Sequence, residues 1–408
     1  MTAQPQLVAG VDTHKDTHYA AVITTTGQQV DAAQFPATHS GYQALADFLT
    51  GNGSLLRVGI EGTNAYGAGL SRHLQHLGIP IVEVLRPARQ VRRMRGKSDQ
   101  IDAYAAAHTA LADLNTVTAK TGTGIVEAIR VTYAARRSAV KARSEVITQI
   151  KSLLVTAPEP VRAEHRGLTV LRLVTALASA RARGTDDEVA ARTRVTLKRL
   201  AIRYRHLDAE IADYDTDLDD LVTEANPAML QIHGIATVTA AQLLITAGDN
   251  PDRIHSEAAF AMLCGAAPIP ASSGKTTRYR LNRGGDRHAN AALHHIAKVR
   301  LGTDPDTQAY AAKLTGAGKS KKDILRCLKR AIARQVFRLL TKPPAVEHSH
   351  DLRPARQAHG LTLADVAEAL GCSIAKISQL ERGTIRDVRF LHRYRTWLTT
   401  APEHKNTA

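Results

Sequence analysis

The sequence is poor in cysteine and in aromatic residues. Its three cysteines, Cys264, Cys327 and Cys372, are far apart and form neither a CxxC pair nor a Cys/His pattern. This spacing indicates neither a disulfide framework nor a zinc site, and we expect the thiols to lie in the protein core. Aromatic residues make up only 4% of the chain, which argues against base stacking as the main contact with a nucleic acid.

Long apolar runs are missing as well. No stretch approaches the roughly 20 apolar residues that span a bilayer, and no signal-like apolar core follows the N-terminus. We therefore expect a cytoplasmic protein that does not act at a membrane.

Basic residues, by contrast, are in excess. Lys and Arg number 54 against 38 Asp and Glu, which gives a formal net charge of +16 over 408 residues. Such an excess favours a polyanionic partner, and backbone contacts by Arg and Lys are the expected mode of binding. The chain is also too long for one ordinary core, so we expect two or more domains.

Four acidic residues lie where apolar segments stop or a helix starts. Asp12 follows the run LVAGV and Glu61 follows LLRVGI, as in two buried strands that each deliver a carboxylate at their end. Asp99 and Asp102 are three residues apart at the start of an Ala-rich helical stretch. Helix capping explains either of these two alone but does not explain Asp12 and Glu61. A buried acid needs a wet edge or a cation, so the four together suggest one metal site.

Oxygen ligands of this kind suit Mg²⁺ or Mn²⁺, and two such ions about 3.5–4 Å apart serve phosphodiester chemistry. Around the acids, the residue pattern predicts strands at 6–12, 18–24, 29–35, 56–61 and 79–84. Helices are predicted at 40–49, at 65–77 and from 102 onward. This succession of elements is that of a ribonuclease H-like domain.

Three pieces of the sequence, GVDTHKD, GIEGT and GKSDQIDA, occur in this order and resemble the DEDD transposases of the insertion sequence 110 family. The resemblance implies a RuvC-like N-terminal domain. It also implies an acidic tetrad that binds the metal, made of Asp12, Glu61, Asp99 and Asp102.

A second region, GAAPIPASSGKTTRYRLNRGGDRHANAALHHIA, resembles the C-terminal transposase domain of the same family. The resemblance implies that a serine directly before a glycine attacks DNA, which corresponds to Ser273, with Ser272 as the less favoured neighbour. Nearby cations would stabilise a developing alkoxide and the crowded phosphorane. Ser-Gly pairs are common in loops, so SSGK by itself does not identify a nucleophile. The basic residues expected to surround this turn or to meet phosphate are Lys275, Arg278, Arg280, Arg283 and Arg287.

A basic run, LRPARQVRRMRGK, directly precedes the third acidic piece. On a helix its Arg86, Arg89 and Arg93 would share one face, and beside a phosphodiester site we expect them to position phosphates. Solvated surface is the alternative.

Long helices rich in Ala, Arg and Leu are predicted from about residue 123 to 224. The second of them carries a heptad seam of Leu197, Leu200, Tyr204, Leu207, Ile211, Tyr214, Leu218 and Leu221. Such a seam fits an antiparallel hairpin within one chain and a coiled coil between chains equally well. The family resemblance favours a coiled-coil insertion that helps to build a dimer. The following stretch, QIHGIATVTAAQLLITAGD, resembles a phosphate-binding helix-hairpin-helix, with an ordinary turn at Gly234 as the alternative.

The last part of the chain resembles a helix-turn-helix of phage-repressor type. Three short helices are predicted to end at Gly360, Gly371 and Gly383, with the second and third at 363–370 and 374–381. In this interpretation the residues that face the major groove are Ser373, Lys376 and Ser378. Leu363 replaces the Gln that commonly opens the second helix, so the module could instead contact protein.

The predicted architecture is α/β plus all-α in four parts. These are a RuvC-like, ribonuclease H-like domain at 1–118, coiled-coil helices at 119–225, a mainly helical transposase domain at 226–342 and the helix-turn-helix at 350–400. The predicted function is a transposase that cuts and rejoins DNA through a serine-linked intermediate, as a dimer or tetramer. The resemblance further implies a bridge RNA that pairs with donor and target DNA. Two alternatives stay open: a junction-resolving endonuclease that uses water, and a non-catalytic DNA-binding regulator.

Overall fold

A computed structural model describes residues 5–84, 98–113, 116–272, 274 and 279–400. The chain divides into two compact units, Met1–Glu127 with Ala247–Ala259, and Ala128–Thr246 with Phe260–Ala408. We call them the N-terminal and the C-terminal unit. Several predicted site residues lie outside the described residues, and their roles stay predictions: Arg86, Arg89, Arg93, Ser273, Lys275 and Arg278.

The N-terminal unit is built on a mixed sheet whose described strands follow the order β3-β2-β1-β4-β5-β6. Strands β1, β2 and β3 form an antiparallel meander, β4 and β5 extend the sheet in parallel with β1, and β6 is antiparallel at the edge. The strands are β1 Gln6–Thr13, β2 Thr17–Thr24, β3 Gln29–Pro36, β4 Ser54–Glu61, β5 Ile81–Val84 and β6 Thr116–Thr118.

Helices cover both faces of this sheet. Alternate residues of β1, namely Leu7, Ala9 and Val11, belong to a core that also contains Leu45 of α1 (His39–Gly51) and Leu70 of α2 (Ala68–His76). The other face of β1 carries Val8, which packs with Ala107 and Ala110 of α3 (Asp99–Ala112). The period of two along β1 therefore decides which side chains meet α3.

The predicted order of strands and helices in this unit is confirmed, and so is its mixed α/β class. The ends differ by a few residues. The helix predicted from residue 65 begins at Ala68, because Ala65 and Gly67 still donate their amide hydrogens to the carbonyl of Gly62 in a turn. Gly62 has φ +73°, a conformation that favours glycine.

Long antiparallel helices open the C-terminal unit. Helix α4 (Ile125–Thr156) and helix α7 (Glu188–Ala225) are joined by ion pairs between Arg136 and Asp215 and between Arg143 and Asp208. Since the residue number rises along one helix as it falls along the other, the two run antiparallel within one chain. Their shared core includes Ile150 and Leu197.

These contacts match the hairpin alternative for the heptad seam, while a coiled coil with a second chain stays a prediction. Two shorter helices, α5 (Glu159–His165) and α6 (Val170–Ser179), lie between the long ones in the sequence. Helix α6 packs against α7 through Val174 and Leu177, so part of the long-helix core is filled by the same chain.

The remainder of the C-terminal unit is mainly helical. The elements between residues 227 and 341, of which the end of α9 and the start of α10 belong to the N-terminal unit, are α8 Pro227–Leu230, α9 Thr237–Ala247, α10 Glu257–Leu263, β7 Ile269–Pro270, β8 Tyr279–Arg280, α11 Arg287–Thr303, α12 Pro305–Gly316 and α13 Lys321–Thr341. Helix α13 is amphipathic, with Leu328 and Ile332 among its buried residues, and it packs on α11.

Four helices form the last part of the chain: α14 Leu352–Ala358, α15 Leu363–Ala369, α16 Ile374–Glu381 and α17 Val388–Thr400. The first three were predicted, and Gly360, Gly371 and Gly383 end them with positive φ. Helix α17 was not predicted, although it adds Phe390 and Tyr394 to the core. Within the described part of the chain, no helix has both the length and the apolar character that crossing a membrane requires.

Candidate metal centre and nucleic-acid interface

Two neighbouring parallel strands carry Asp12 and Glu61 to the same edge of the sheet. Val11 of β1 is in register with Ile60 of β4, so the next residue on each strand is one of the two acids. The hydroxyl of Thr13 donates to the carbonyl oxygen of Glu61 over 2.8 Å and fixes the strand ends together. Asp12 is only 8% exposed, so its carboxylate has left bulk water.

Two glycines allow α3 to lie directly on these strands. A Cβ added to Gly10 would come within 2.1 Å of the amide nitrogen of Ala107 and 2.3 Å of the carbonyl oxygen of Ala103. A Cβ on Gly59 would come within 2.8 Å of the carbonyl oxygen of Ala106. Side chains two residues apart on a strand face the same side, so Asp12 and Glu61 face α3 as the glycines do.

The first turn of α3 supplies the other two acids. Ser98 caps the helix by accepting a hydrogen bond from the amide of Ile101, and Asp99 and Asp102 both lie in the first turn. The positive end of the helix dipole favours carboxylates at this position. Helix capping and the helix dipole therefore explain why acids occur at both positions, but they do not explain why both acids act on Asp12 of the sheet.

The charges of the other three predicted acids all act on the carboxylate of Asp12. Burial raises the pKa of Asp12 above its usual value, His14 lowers it, and the negative charges of Asp102, Glu61 and Asp99 raise it again. The acids whose charge reaches Asp12 are thus as far as 90 residues from it in the sequence. A buried carboxylate with like charges around it is stabilised by a bound cation, and oxygen donors of this kind fit Mg²⁺ or Mn²⁺.

A histidine that the sequence reasoning did not select completes the cluster. The Nε2 atom of His14 lies 3.1 Å from Oδ2 of Asp12 and 3.2 Å from Oδ1 of Asp99. One ligand atom from each of these three residues lies within 4.8 Å of the other two. The available signal was the position of His14, two residues after Asp12 at the end of a strand.

The region of the predicted nucleophile is an antiparallel hairpin. Ile269 pairs with Arg280 and Pro270 with Tyr279, which places the two short strands on either side of the predicted nucleophile in the sequence. Ser272 and Gly274 are exposed, and Gly274 has φ +54°.

A close glycine contact fixes the base of this hairpin. A Cβ on Gly285 would come within 2.2 Å of the amide nitrogen of Gly265. Asp286 donates its amide hydrogen to the carbonyl oxygen of Leu263 and caps α11 by accepting from the amide of His288. The hydroxyl of Thr246 also donates to Asp286, over 2.7 Å. The segment NRGGD therefore holds the base of the hairpin in place through Gly285 and Asp286, and we call it the clasp. The exposed basic residues around it are Arg280, Arg283 and Arg287.

A second basic surface, which we call the α11–α13 seam, consists of Lys298, Arg326 and Lys329 beside the imidazole of His294. The Nζ atom of Lys329 lies 3.0 Å from Oδ1 of Asn290, which places it over α11 one turn before His294. Burial lowers the pKa of His294, and the charges of Lys329 and Lys298 lower it further. Positive charge concentrated in this way favours a polyanionic ligand.

The turn at Gly234 is formed as predicted, with φ +83° between α8 and α9. At the start of α9, however, the hydroxyl of Thr237 donates to Asp219 over 2.6 Å. A carboxylate of the chain itself therefore lies where a helix-hairpin-helix would bind phosphate. This favours the ordinary-turn alternative.

The helix-turn-helix residues differ in their availability. Ser373 caps α16, Ser378 is half-buried, and the ammonium of Lys376 lies 3.3 Å from Oδ2 of Asp387 and 4.0 Å above the ring of Phe390. Their predicted contact with the major groove stays a prediction. The exposed face of α16 includes Ile374, which is 51% exposed.

Comparison with known families is consistent with this arrangement. Residues 9–157 match the DEDD transposase model of the IS110 family, and residues 226–312 match a model described as transposase of the IS116/IS110/IS902 family. Residues 349–398 match a helix-turn-helix domain. A search of curated proteins found no match. The chain therefore carries the two transposase domains of the IS110 family, followed by a helix-turn-helix domain.

Proposed function

We propose that the protein is a metal-dependent transposase that cuts and rejoins DNA through a serine-linked intermediate. The observation that supports this most is the close approach of α3 to β1 and β4, together with the action of the charges of Glu61, Asp99 and Asp102 on the buried carboxylate of Asp12. The strand order and the antiparallel start of the sheet support a ribonuclease H-like fold for this unit.

The four acids would hold Mg²⁺ or Mn²⁺. The ion, when bound, supplies Lewis-acid activation of a phosphodiester and neutralises charge on the departing oxygen. The chain's own contribution is geometric: Thr13 fixes the two strand ends, and Ser98 fixes the start of α3. Both contacts limit the freedom of the carboxylates before any ligand arrives.

Ser273 would attack the phosphorus and retain one DNA end as a phosphoserine ester. The ester conserves the energy of the broken bond, so strand exchange would need no ATP. The exposure of Ser272 and Gly274 supports an accessible nucleophile in this hairpin. The basic residues that would stabilise the charge are Lys275, Arg278, Arg280, Arg283 and Arg287.

Double-stranded DNA is the proposed ligand of the remaining basic surfaces. The excess of +16 charges and the α11–α13 seam support a polyanion. Arg86, Arg89 and Arg93 would position phosphates near the acids. The family resemblance extends the proposal to a bridge RNA and to a homo-oligomer in which acids and serine meet across subunits.

A trapping experiment tests the serine chemistry. The purified protein is incubated with element-end DNA and Mg²⁺ and then analysed on a denaturing gel for a covalent protein–DNA adduct. We expect an adduct with wild type and Ser272→Ala, and none with Ser273→Ala or Asp12→Asn. If Ser273→Ala still releases DNA ends at the wild-type rate, the protein is a nuclease that uses water.

The regulator alternative makes a different prediction. It requires operator binding that is indifferent to Asp12→Ala and to chelation of divalent metal, with no DNA cleavage under any condition. Sequencing of nucleic acid that co-purifies with the protein tests the RNA component, because its absence alongside efficient DNA joining would remove the guided part of the proposal.

A further inference from the structure

The position of His14 follows from the backbone around it. The amide of His14 donates to the carbonyl oxygen of Thr17 over 3.0 Å in the turn between β1 and β2. Thr13, the residue before it, donates a hydrogen bond from its hydroxyl to the carbonyl oxygen of Glu61. The imidazole is therefore carried by a fixed stretch of chain, while its side chain keeps 44% exposure to solvent.

Its Nε2 atom faces two carboxylates at once. The separations of 3.1 Å to Asp12 and 3.2 Å to Asp99 are nearly equal. A single Nε2–H can be directed at one carboxylate at a time, so a hydrogen bond explains one of the two contacts well. A cation, by contrast, accepts the imidazole lone pair and both carboxylates simultaneously.

The separations also agree with coordination geometry. Ligands on adjacent corners of an octahedron with bonds of about 2.1 Å lie about 3.0 Å apart. The two N···O distances at His14 are close to this value, so a cation would require only small movements of the three side chains. Asp12, which is almost fully buried, would gain the most from the added positive charge.

We propose that His14 is a direct nitrogen ligand, which makes this a mixed oxygen–nitrogen centre that selects Mn²⁺ over Mg²⁺. The inference rests on the proposed function, since it concerns the same acidic site. Mg²⁺ is a hard ion that prefers oxygen ligands and retains its waters, whereas imidazole suits the transition metals. A tetrad of carboxylates alone would not discriminate in this way.

Pulsed electron paramagnetic resonance of Mn²⁺ bound to the full chain tests the proposal directly. A coordinated imidazole produces electron spin echo envelope modulation from the directly bound nitrogen. We expect this modulation in the wild type and in His76→Ala, a control that removes an exposed histidine of the same unit. We expect it to disappear in His14→Ala. Wild-type protein that binds Mn²⁺ without nitrogen modulation would overturn the proposal.

Binding measurements supply the second readout. Titration calorimetry with Mn²⁺ and with Mg²⁺ alone gives the ratio of the two affinities, which His14→Ala should reduce by about tenfold or more. An unchanged ratio would count against His14 as a ligand.

Asp12→Asn separates this inference from the proposed function. If Asp12→Asn abolishes Mn²⁺ binding while His14→Ala has no effect on the affinity ratio or the modulation, the metal site stands and only the role of His14 fails. If neither substitution affects binding, the metal site itself is wrong.

Discussion

Gly10 controls the distance between α3 and the sheet, and Gly10→Ala should separate the acids. The new Cβ would lie 2.1 Å from the nitrogen of Ala107 and 2.3 Å from the oxygen of Ala103, both backbone atoms that cannot rotate away. Ordinary contacts need more than about 3.4 Å, so α3 must move by about 1 Å or more. Overpacking of this kind costs about 1–3 kcal/mol.

Hydrogen–deuterium exchange reports the effect locally. The protection of the α3 amides should fall by about 5- to 150-fold, which is the same free energy expressed as an opening equilibrium. Because the first turn of α3 carries Asp99 and Asp102, Mn²⁺ binding should weaken along with protection. Both measurements use the full chain.

Two other glycines serve as graded controls. Gly59→Ala would bring its Cβ to 2.8 Å from the oxygen of Ala106, a milder clash, so its effect should be smaller. A Cβ on Gly51 would meet nothing within 4 Å, and Gly51→Ala at the end of α1 should leave metal binding unchanged. If Gly10→Ala keeps the wild-type protection of α3 and the wild-type affinity for Mn²⁺, the glycine contact does not position the acids.

Three further predictions concern the C-terminal unit. Gly285→Ala should prevent formation of the covalent DNA adduct without changing the affinity for Mn²⁺, because its Cβ would displace the hairpin base. In the control Gly284→Ala the new Cβ would lie 3.5 Å from its nearest neighbour, so the adduct should still form. Equal adduct yields in the two variants would show that the Gly285 contact does not hold the hairpin. Glu381→Gln should destabilise the last four helices by about 3–5 kcal/mol, since it leaves the buried guanidinium of Arg356 without its charge partner, and unchanged amide exchange in α14–α17 would contradict this. Lys298→Gln should weaken the salt dependence of duplex DNA binding: the negative slope of the logarithm of the association constant against the logarithm of the salt concentration should decrease in magnitude by about 0.9. An unaltered slope would place the α11–α13 seam outside the DNA interface.

The sequence was sufficient to predict features that depend on residues close together in the chain. Asp12 and Glu61 each end an apolar run, and the position of an acid at the end of a buried strand could be inferred without coordinates. The ends of the last helices were equally local: the predicted glycines Gly360, Gly371 and Gly383 end them, and Thr362 and Asp365 form a capping box at the start of α15. In each case the deciding interaction lies within a few residues of the chain.

It failed where the deciding contact is long-range. Gly10 is an ordinary residue in an apolar run until α3 approaches it, and no pattern in 6–13 indicates a helix within 2–3 Å of a missing side chain. His14 was overlooked because its partner Asp99 lies 85 residues away. Helix α17 was missed because its apolar residues, such as Phe390 and Tyr394, alternate with arginines in a stretch that looks like basic surface.

Asp219 links three parts of the C-terminal unit that the sequence presents as separate. It accepts a hydrogen bond from Thr237 at the start of α9 and from the guanidinium of Arg386, which precedes α17. Desolvation raises the pKa of this carboxyl, but the bonds from Arg386 and Thr237 outweigh it and keep the pKa below its usual value. Arg386 also donates to Thr223 of α7, so the helix-turn-helix, the long helix and the Gly234 turn share one ionised group. A phosphate at the start of α9 would therefore meet the ionised carboxylate of Asp219, which also holds the helix-turn-helix through Arg386.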